Sequence, residues 1–211
     1  MSEKIFITGA SSGIGAALAI EFAKRGATLG ISARRSEKLQ SIAQKCNESG
    51  ATDVFTYTVD VTNQDSSEST AKDFIASANG IDIIIANAGV AYSDKISSGE
   101  ATQINQVFST NVLGVTNSII PFVPTMKENS SGKIVIISSI ASFRPIAFHG
   151  GYSASKSAVR MLADSWRMSL KKYNIQLTAI CPGFIVSEMT DENKFPMPFL
   201  LETEDAARKM V

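Results

Sequence analysis

The sequence predicts an α/β protein: a doubly wound parallel sheet of six strands with helices on both faces. Three observations carry that reading. Apolar runs rich in Ile and Val recur at Lys4–Thr8, Thr28–Ala33, 54–59, 81–87, 133–139 and 175–181. Stretches of helical character separate them, as crossovers between parallel strands require. The runs are nearly continuous in apolarity, which marks strands covered on both faces.

The first run enters Gly9-Ala10-Ser11-Ser12-Gly13-Ile14-Gly15, and a helix over 16–25 opens directly behind it, with Ile14, Leu18, Ala19 and Phe22 as its apolar positions. Glycine lets backbone N–H groups approach a pyrophosphate where a Cβ would intrude, and it tolerates the positive φ of a tight turn. The helix adds unpaired N–H groups and the positive end of its dipole. Gly9, Gly13 and Gly15 follow G-x-x-x-G-x-G, not G-x-G-x-x-G. The turn therefore reads as a phosphate cradle, or more blandly as a glycine-rich connector.

The second run ends in Arg34-Arg35. About 20 residues past such a turn, an acidic side chain holds the ribose 2′-hydroxyl of NAD, whereas arginine accommodates the 2′-phosphate of NADP. A guanidinium offers a planar, permanently charged fork to phosphate. Arg34 thus favours NADP over NAD, the competing reading being a solvated basic pair near a helix start. The third run leads to Asp60-Val61, where Asp60 either caps the next helix or accepts from an adenine amino group. The fourth ends in Asn87-Ala88-Gly89, small residues at the carboxyl end of a strand, where ligands of a doubly wound sheet sit.

The fifth run delivers Ser138-Ser139, and Tyr152-Ser153-Ala154-Ser155-Lys156 follows. Tyr152 and Lys156 are four apart, so on a helix they share a face one turn apart. Hydride addition to a carbonyl needs a proton donor, and a free tyrosine with pKa about 10 serves poorly near neutrality. Bringing that value to about 7 takes about 4 kcal/mol of phenolate stabilisation. An ammonium about 4 Å away supplies that order at an effective dielectric near 20. The alternative is an ordinary amphipathic helix with a Tyr and a Lys on one side.

Thr8-Gly9-x-x-x-Gly13-Ile14-Gly15, Asn87-Ala88-Gly89, Asn111, Ser139, Tyr152-x-x-x-Lys156 and Pro182-Gly183, in this order, resemble the short-chain dehydrogenase/reductase family from the first strand to about Met189. The resemblance implies a Rossmann-type fold and an oxidoreductase passing hydride between NADP(H) and a carbonyl or secondary alcohol. It implies Tyr152 as general acid or base, and Lys156 as the group that lowers its pKa and holds the nicotinamide ribose. Ser139 would hydrogen-bond the substrate oxygen, and Asn111 would hold a water linking Lys156 to solvent. Gly9, Ser12, Gly13, Ile14, Gly15, Arg34, Asp60, Val61, Asn87, Ala88, Gly89, Pro182, Gly183, Ile185 and Ser187 match cofactor positions, with Tyr152 and Lys156. Ser187 stands where the family commonly has threonine and keeps the hydroxyl.

By the same resemblance, 184–203 is the substrate lid. Its Phe184, Met189, Phe195, Met197, Phe199, Leu200 and Leu201 suggest an apolar substrate portion, with Phe143, Phe148 and His149 as candidates to line the pocket. The alternative is that these side chains only pack the lid onto the body. The segments 101–127 and 152–173 resemble the two helices that pair across a two-fold axis, implying a homodimer or homotetramer. Family members normally continue past a helix like 204–210 into a seventh strand; the sequence stops at Val211, so either the stretch is truncated or that edge strand is absent.

Composition fits this and excludes rivals. With 211 residues, 44% hydrophobic and 19% charged, the chain is expected to form a single domain over 1–211. Twenty basic residues balance twenty acidic ones, so charge points to neither nucleic acid nor an anionic membrane. No apolar run approaches the roughly 20 residues of a membrane span, and the first strand begins almost at Met1, leaving no room for a signal peptide. A cytoplasmic protein is the expectation. Cys46 and Cys181 read as unpaired thiols, and a lone histidine, His149, gives no metal cluster or histidine-based triad. The rival functions are an NADP-binding sensor or scaffold without turnover and an epimerase or dehydratase.

Overall fold

The computed structural model describes residues 2–191 and 196–211. Among them a six-stranded parallel sheet runs in the order β3-β2-β1-β4-β5-β6. Its strands are β1 (Lys4–Thr8), β2 (Thr28–Ala33), β3 (Asp53–Thr58), β4 (Ile83–Ala86), β5 (Gly132–Ile137) and β6 (Ile175–Ile180). The doubly wound sheet is the predicted one. Apolar sequence overshot β4, because Asn87 leaves the ladder to turn its carboxamide back onto β1.

Alternation along each strand divides the core. Ile5, Ile7, Leu29, Ile31, Ile83 and Ile85 face one layer, where α1 (Gly13–Ala23), α2 (Ser36–Glu48) and α8 (Thr203–Met210) pack. Phe6, Ile84, Ala86, Ile134, Ile136 and Leu177 face the other. There they meet α3 (Gln64–Ala78), α7 (Gly150–Leu170) and a composite helix made of α4 (Thr102–Phe108), α5 (Gly114–Ile119) and α6 (Val123–Glu128). Burying both faces explains why β1, β2 and β4 lack polar alternation, whereas β6 alternates buried and exposed residues over Ile175, Gln176, Leu177 and Thr178.

The composite helix corrects one sequence expectation. Over Thr102–Glu128 it is long and apolar enough, by length and composition, to cross a bilayer. In the fold Val115, Ile119, Phe122 and Met126 are buried in the second core layer. A π-turn over Ser109–Leu113 and a 3₁₀ turn over Ile120–Phe122 interrupt it. Pro121 offers no N–H to the second of these. β6 pairs with β5 alone and forms one edge of the sheet among the described residues.

Candidate active site

The strand order reverses between β1 and β4, so the segments leaving these strands diverge and a crevice opens at their carboxyl ends. A cleft of about 930 Å³ lies there, at the upper end of the usual ligand range. Every residue singled out from the sequence for catalysis or cofactor binding borders this cleft except Gly15 and Asn111.

Gly15 sits behind the turn. A Cβ there would stand 2.5 Å from both Asn87 Nδ2 and Gly9 O. Asn87 Nδ2 donates to Thr8 O and Gly9 O at 3.0 and 3.2 Å, while Thr8 Oγ1 accepts from the N–H groups of Asn87 and Ala88. Gly15 thus keeps room for a brace between the ends of β1 and β4. Gly9, at φ 69°, lies in the left-handed region, and a Cβ on it would approach Ala88 Cα to 2.7 Å. α1 begins without a side-chain cap at Ser12, so its first-turn N–H groups are left to an external acceptor. This open cradle fits a dinucleotide pyrophosphate.

The chemistry-bearing groups converge on the far side of the cleft. Ser139 lies two residues past the end of β5 and caps the next turn, where its Oγ accepts from Ala141 N–H at 3.1 Å and keeps its own proton to donate. Tyr152 lies on the first turn of α7, within hydrogen-bonding reach of Ser139. Lys156, one turn on, is 4% exposed and donates through Nζ to Ile137 O at 2.8 Å. Ser138 Oγ in turn donates to the Lys156 carbonyl at 2.9 Å, pinning α7 to β5.

Burial dominates the electrostatics. It raises the Tyr152 phenol above its ordinary value, against an opposing hydrogen bond from Ser139. It pushes the Lys156 ammonium down to about 8. The expected lowering of Tyr152 by Lys156 is absent: Nζ lies 5.8 Å from the centre of the phenol ring and is aimed at Ile137 O. Desolvation outweighs a charge that is itself being discouraged.

Asn111 is completely buried in the π-turn. Its Oδ1 accepts from Val90 N–H at 2.8 Å, while Nδ2 donates to Val90 O at 2.9 Å and Ser155 Oγ at 3.0 Å. Both amide hydrogens are spent, so a water could take only the remaining Oδ1 lone pair or the backbone carbonyl. The side chain clamps the segment after β4 to α7. A Cβ on Gly89 would lie 3.3 Å from Asn111 Oδ1 and 3.5 Å from Lys156 Nζ, so this glycine gives the close approach its room.

At the opposite end of the cleft, Arg35 is the guanidinium that faces the glycine turn. It donates to Ser11 Oγ at 3.1 Å, Ser12 Oγ at 2.7 Å and Glu188 Oε2 at 2.6 Å. Arg34, the arginine singled out from the sequence, also borders the cleft but stands 4.0 Å from Asp60 Oδ2. Asp60 accepts from the N–H and hydroxyl of Thr62. The cap of α3 is Asn63, whose side chain accepts from Ser66 N–H, so the capping reading of Asp60 fails.

On the substrate side, His149 borders the cleft, whereas Phe143 and Phe148 point outward, Phe143 against the Arg160 guanidinium. Phe148 has φ 62°, which turns its ring away. Tyr92, Gln103 and Ile146 take their places without having been singled out from the sequence. Gln103 Oε1 is buried there with no hydrogen-bond partner among the described residues. Ile185 bridges to Leu201, and Phe184, Ile185, Ser187, Glu188, Met189 and Thr190 line the cleft. Phe195 lies outside the described residues. Cys46 and Cys181 are free thiols, and no group of residues suited to a metal occurs among the described residues.

A family model described as short chain dehydrogenase matches residues 3–196. An uncharacterized oxidoreductase of Myxococcus xanthus is 37% identical over 97% of this chain and 80% of its own length. The alcohol dehydrogenase of Thermococcus sibiricus, solved with 5-hydroxy-NADP, superposes with a TM-score of 0.90 at 26% identity, covering 100% of this chain and 89% of that one. A short chain dehydrogenase of Mycobacterium paratuberculosis bound to NAD gives 0.90 at 25% identity, over 99% and 89%.

Proposed function

The chain belongs to the short chain dehydrogenase family, and on that footing we propose that it is an NADP(H)-dependent reductase of an aldehyde or ketone with an apolar body, or a dehydrogenase of the corresponding alcohol. The observation that carries this reading is the convergence of Ser139, Tyr152 and Lys156 on one wall of the cleft opposite an uncapped glycine turn. The nicotinamide, when bound, supplies or accepts the hydride.

Ser139 donates its hydroxyl proton to the substrate oxygen and orients it, while its Oγ accepts from Ala141 N–H. Tyr152 gives that oxygen a proton in reduction and removes it in oxidation. Burial holds the phenol protonated at neutral pH, which suits the acid role. Lys156 serves as a fixed donor near Tyr152 and as a ligand for ribose hydroxyls, held in place by Ile137 O. Asn111 positions both segments through Val90 and Ser155.

Support for NADP comes from three cations at the adenosine end, Arg34, Arg35 and Lys38, with Arg35 and Lys38 already engaging a carboxylate. Support for an apolar substrate comes from Ile146 and Met189 at the cleft, and we assign 184–203 as its lid. Exposed Leu113, Ile120, Met161 and Met168 on α7 and the composite helix favour pairing with a second copy, as a homodimer or homotetramer. The balanced charge favours a cytoplasmic setting.

The test is a panel of aldehydes and ketones incubated with the protein and NADPH or NADH, followed by nicotinamide absorbance. Turnover with NADPH in clear preference to NADH is expected. Tight NADPH binding with no turnover on a broad panel would make the protein a cofactor sensor instead.

A further inference from the structure

Resting on the NADP reading, we propose that Glu188 is an internal stand-in for the ribose 2′-phosphate: its carboxylate occupies the phosphate subsite, and a 2′-phosphorylated adenosine must expel it to bind. Glu188 Oε2 lies 2.6 Å from Arg35 Nη1 and 3.3 Å from Ser12 Oγ, and Oε1 lies 2.5 Å from Lys38 Nζ. These donors come from the glycine turn and the start of α2, 150 to 176 residues away in sequence. Two cations and a hydroxyl converging on one oxyanion group make the donor set that a phosphate monoester needs. Lys38 and Arg35 hold the Glu188 carboxyl down at about 2, so it remains an anion at every working pH.

The carboxylate is presented on a formed turn. Thr190 and Asp191 donate their N–H groups to Ser187 O, and Thr190 Oγ1 accepts from Ser187 N–H and donates to Ile185 O. A Cβ on Gly13 would meet Ser187 Cβ at 3.4 Å, so the turn rests directly on the phosphate cradle. Two anions cannot share Arg35 and Lys38 at full strength. A 2′-phosphate therefore displaces Glu188 and loosens the 187–191 turn from the glycine loop, whereas an adenosine without that phosphate leaves the latch in place. Glu188 thereby becomes a specificity-determining residue, since it taxes NADP binding and links arrival of the phosphate to movement at the cleft mouth.

The probes are 2′,5′-ADP and 5′-AMP, which differ only by the phosphate in question and carry no nicotinamide. Titration calorimetry on wild type and Glu188→Gln should show the variant binding 2′,5′-ADP roughly three- to tenfold more tightly, the release expected from two half-exposed ion pairs. Its affinity for 5′-AMP should change less than about twofold. Hydrogen exchange of the 187–191 amides in wild type should quicken with 2′,5′-ADP and stay unchanged with 5′-AMP. If wild type binds both probes equally, the NADP reading and the latch fall together. If wild type prefers 2′,5′-ADP while Glu188→Gln leaves that preference unchanged or weakens it, or the 187–191 amides become protected, the latch alone is refuted.

Discussion

Replacing Lys156 by methionine should make the protein more stable at neutral pH while crippling turnover. The ammonium is 4% exposed and has Ile137 O as its hydrogen-bond acceptor, and burial lowers its pKa from 10.5 to about 8. That drop corresponds to about 3 kcal/mol in favour of the neutral amine. Because the folded value lies below the unfolded one, the stability tied to this group is fully present above about 10.5 and is lost as pH falls through about 8. At pH 7 the wild type bears the whole penalty and the methionine variant bears none. Losing the bond to Ile137 O returns about 1–2 kcal/mol of that gain. The net is about 1–2 kcal/mol, or roughly 2–8 °C in Tm for a chain of this size. Urea unfolding at pH 7 and again near pH 10.5 reads it: the variant should lead at the lower pH and lose its lead at the higher. A variant less stable at pH 7, or a difference that ignores pH, would show that Lys156 is not a buried, discouraged charge.

Gly15→Ala should cost about 1–3 kcal/mol in urea unfolding and abolish saturable dinucleotide binding by fluorescence, because the new Cβ would press on Asn87 Nδ2 and Gly9 O at 2.5 Å. Asn111→Leu leaves the N–H and C=O of Val90 without their side-chain partners and should cost about 2–4 kcal/mol. Its kcat should fall more than its cofactor affinity, which steady-state kinetics beside a binding titration will separate. Arg35→Ala should weaken NADPH roughly five- to thirtyfold through loss of one charge-assisted contact while changing NADH little. Fluorescence titration with both cofactors checks the difference.

Much of this molecule is legible in its sequence for identifiable reasons. The sheet announces itself because parallel strands buried on two faces must be apolar along their length, as Ile83–Ala86 and, past Lys133, the rest of β5 are. The positions bordering the cleft are legible because close backbone approach demands glycine at Gly9, with Gly15 making room behind the turn, and because four-residue spacing puts Tyr152 and Lys156 on one helix face. What sequence could not reveal depends on rotamers and long-range contacts. Arg34 and Arg35 are equivalent as letters, and only the backbone direction after β2 decides which reaches Ser11 and Ser12. Asp60 and Asn63 both suit a helix start, and the cap falls to the one whose carbonyl reaches Ser66 N–H. The sign of the Tyr152 shift was missed because a spacing argument supplies a distance but no desolvation. Glu188 gives no local signal at all, since its partners lie in the first 38 residues.

The decisive experiment is single-turnover reduction of a reactive ketone or aldehyde by Tyr152→Phe with saturating NADPH. A drop of roughly 10²- to 10⁴-fold, with cofactor affinity unaltered, is expected if the phenol is the proton donor beside Ser139. A variant that turns over as fast as wild type would remove Tyr152 from the chemistry and with it the reductase assignment built on this cleft.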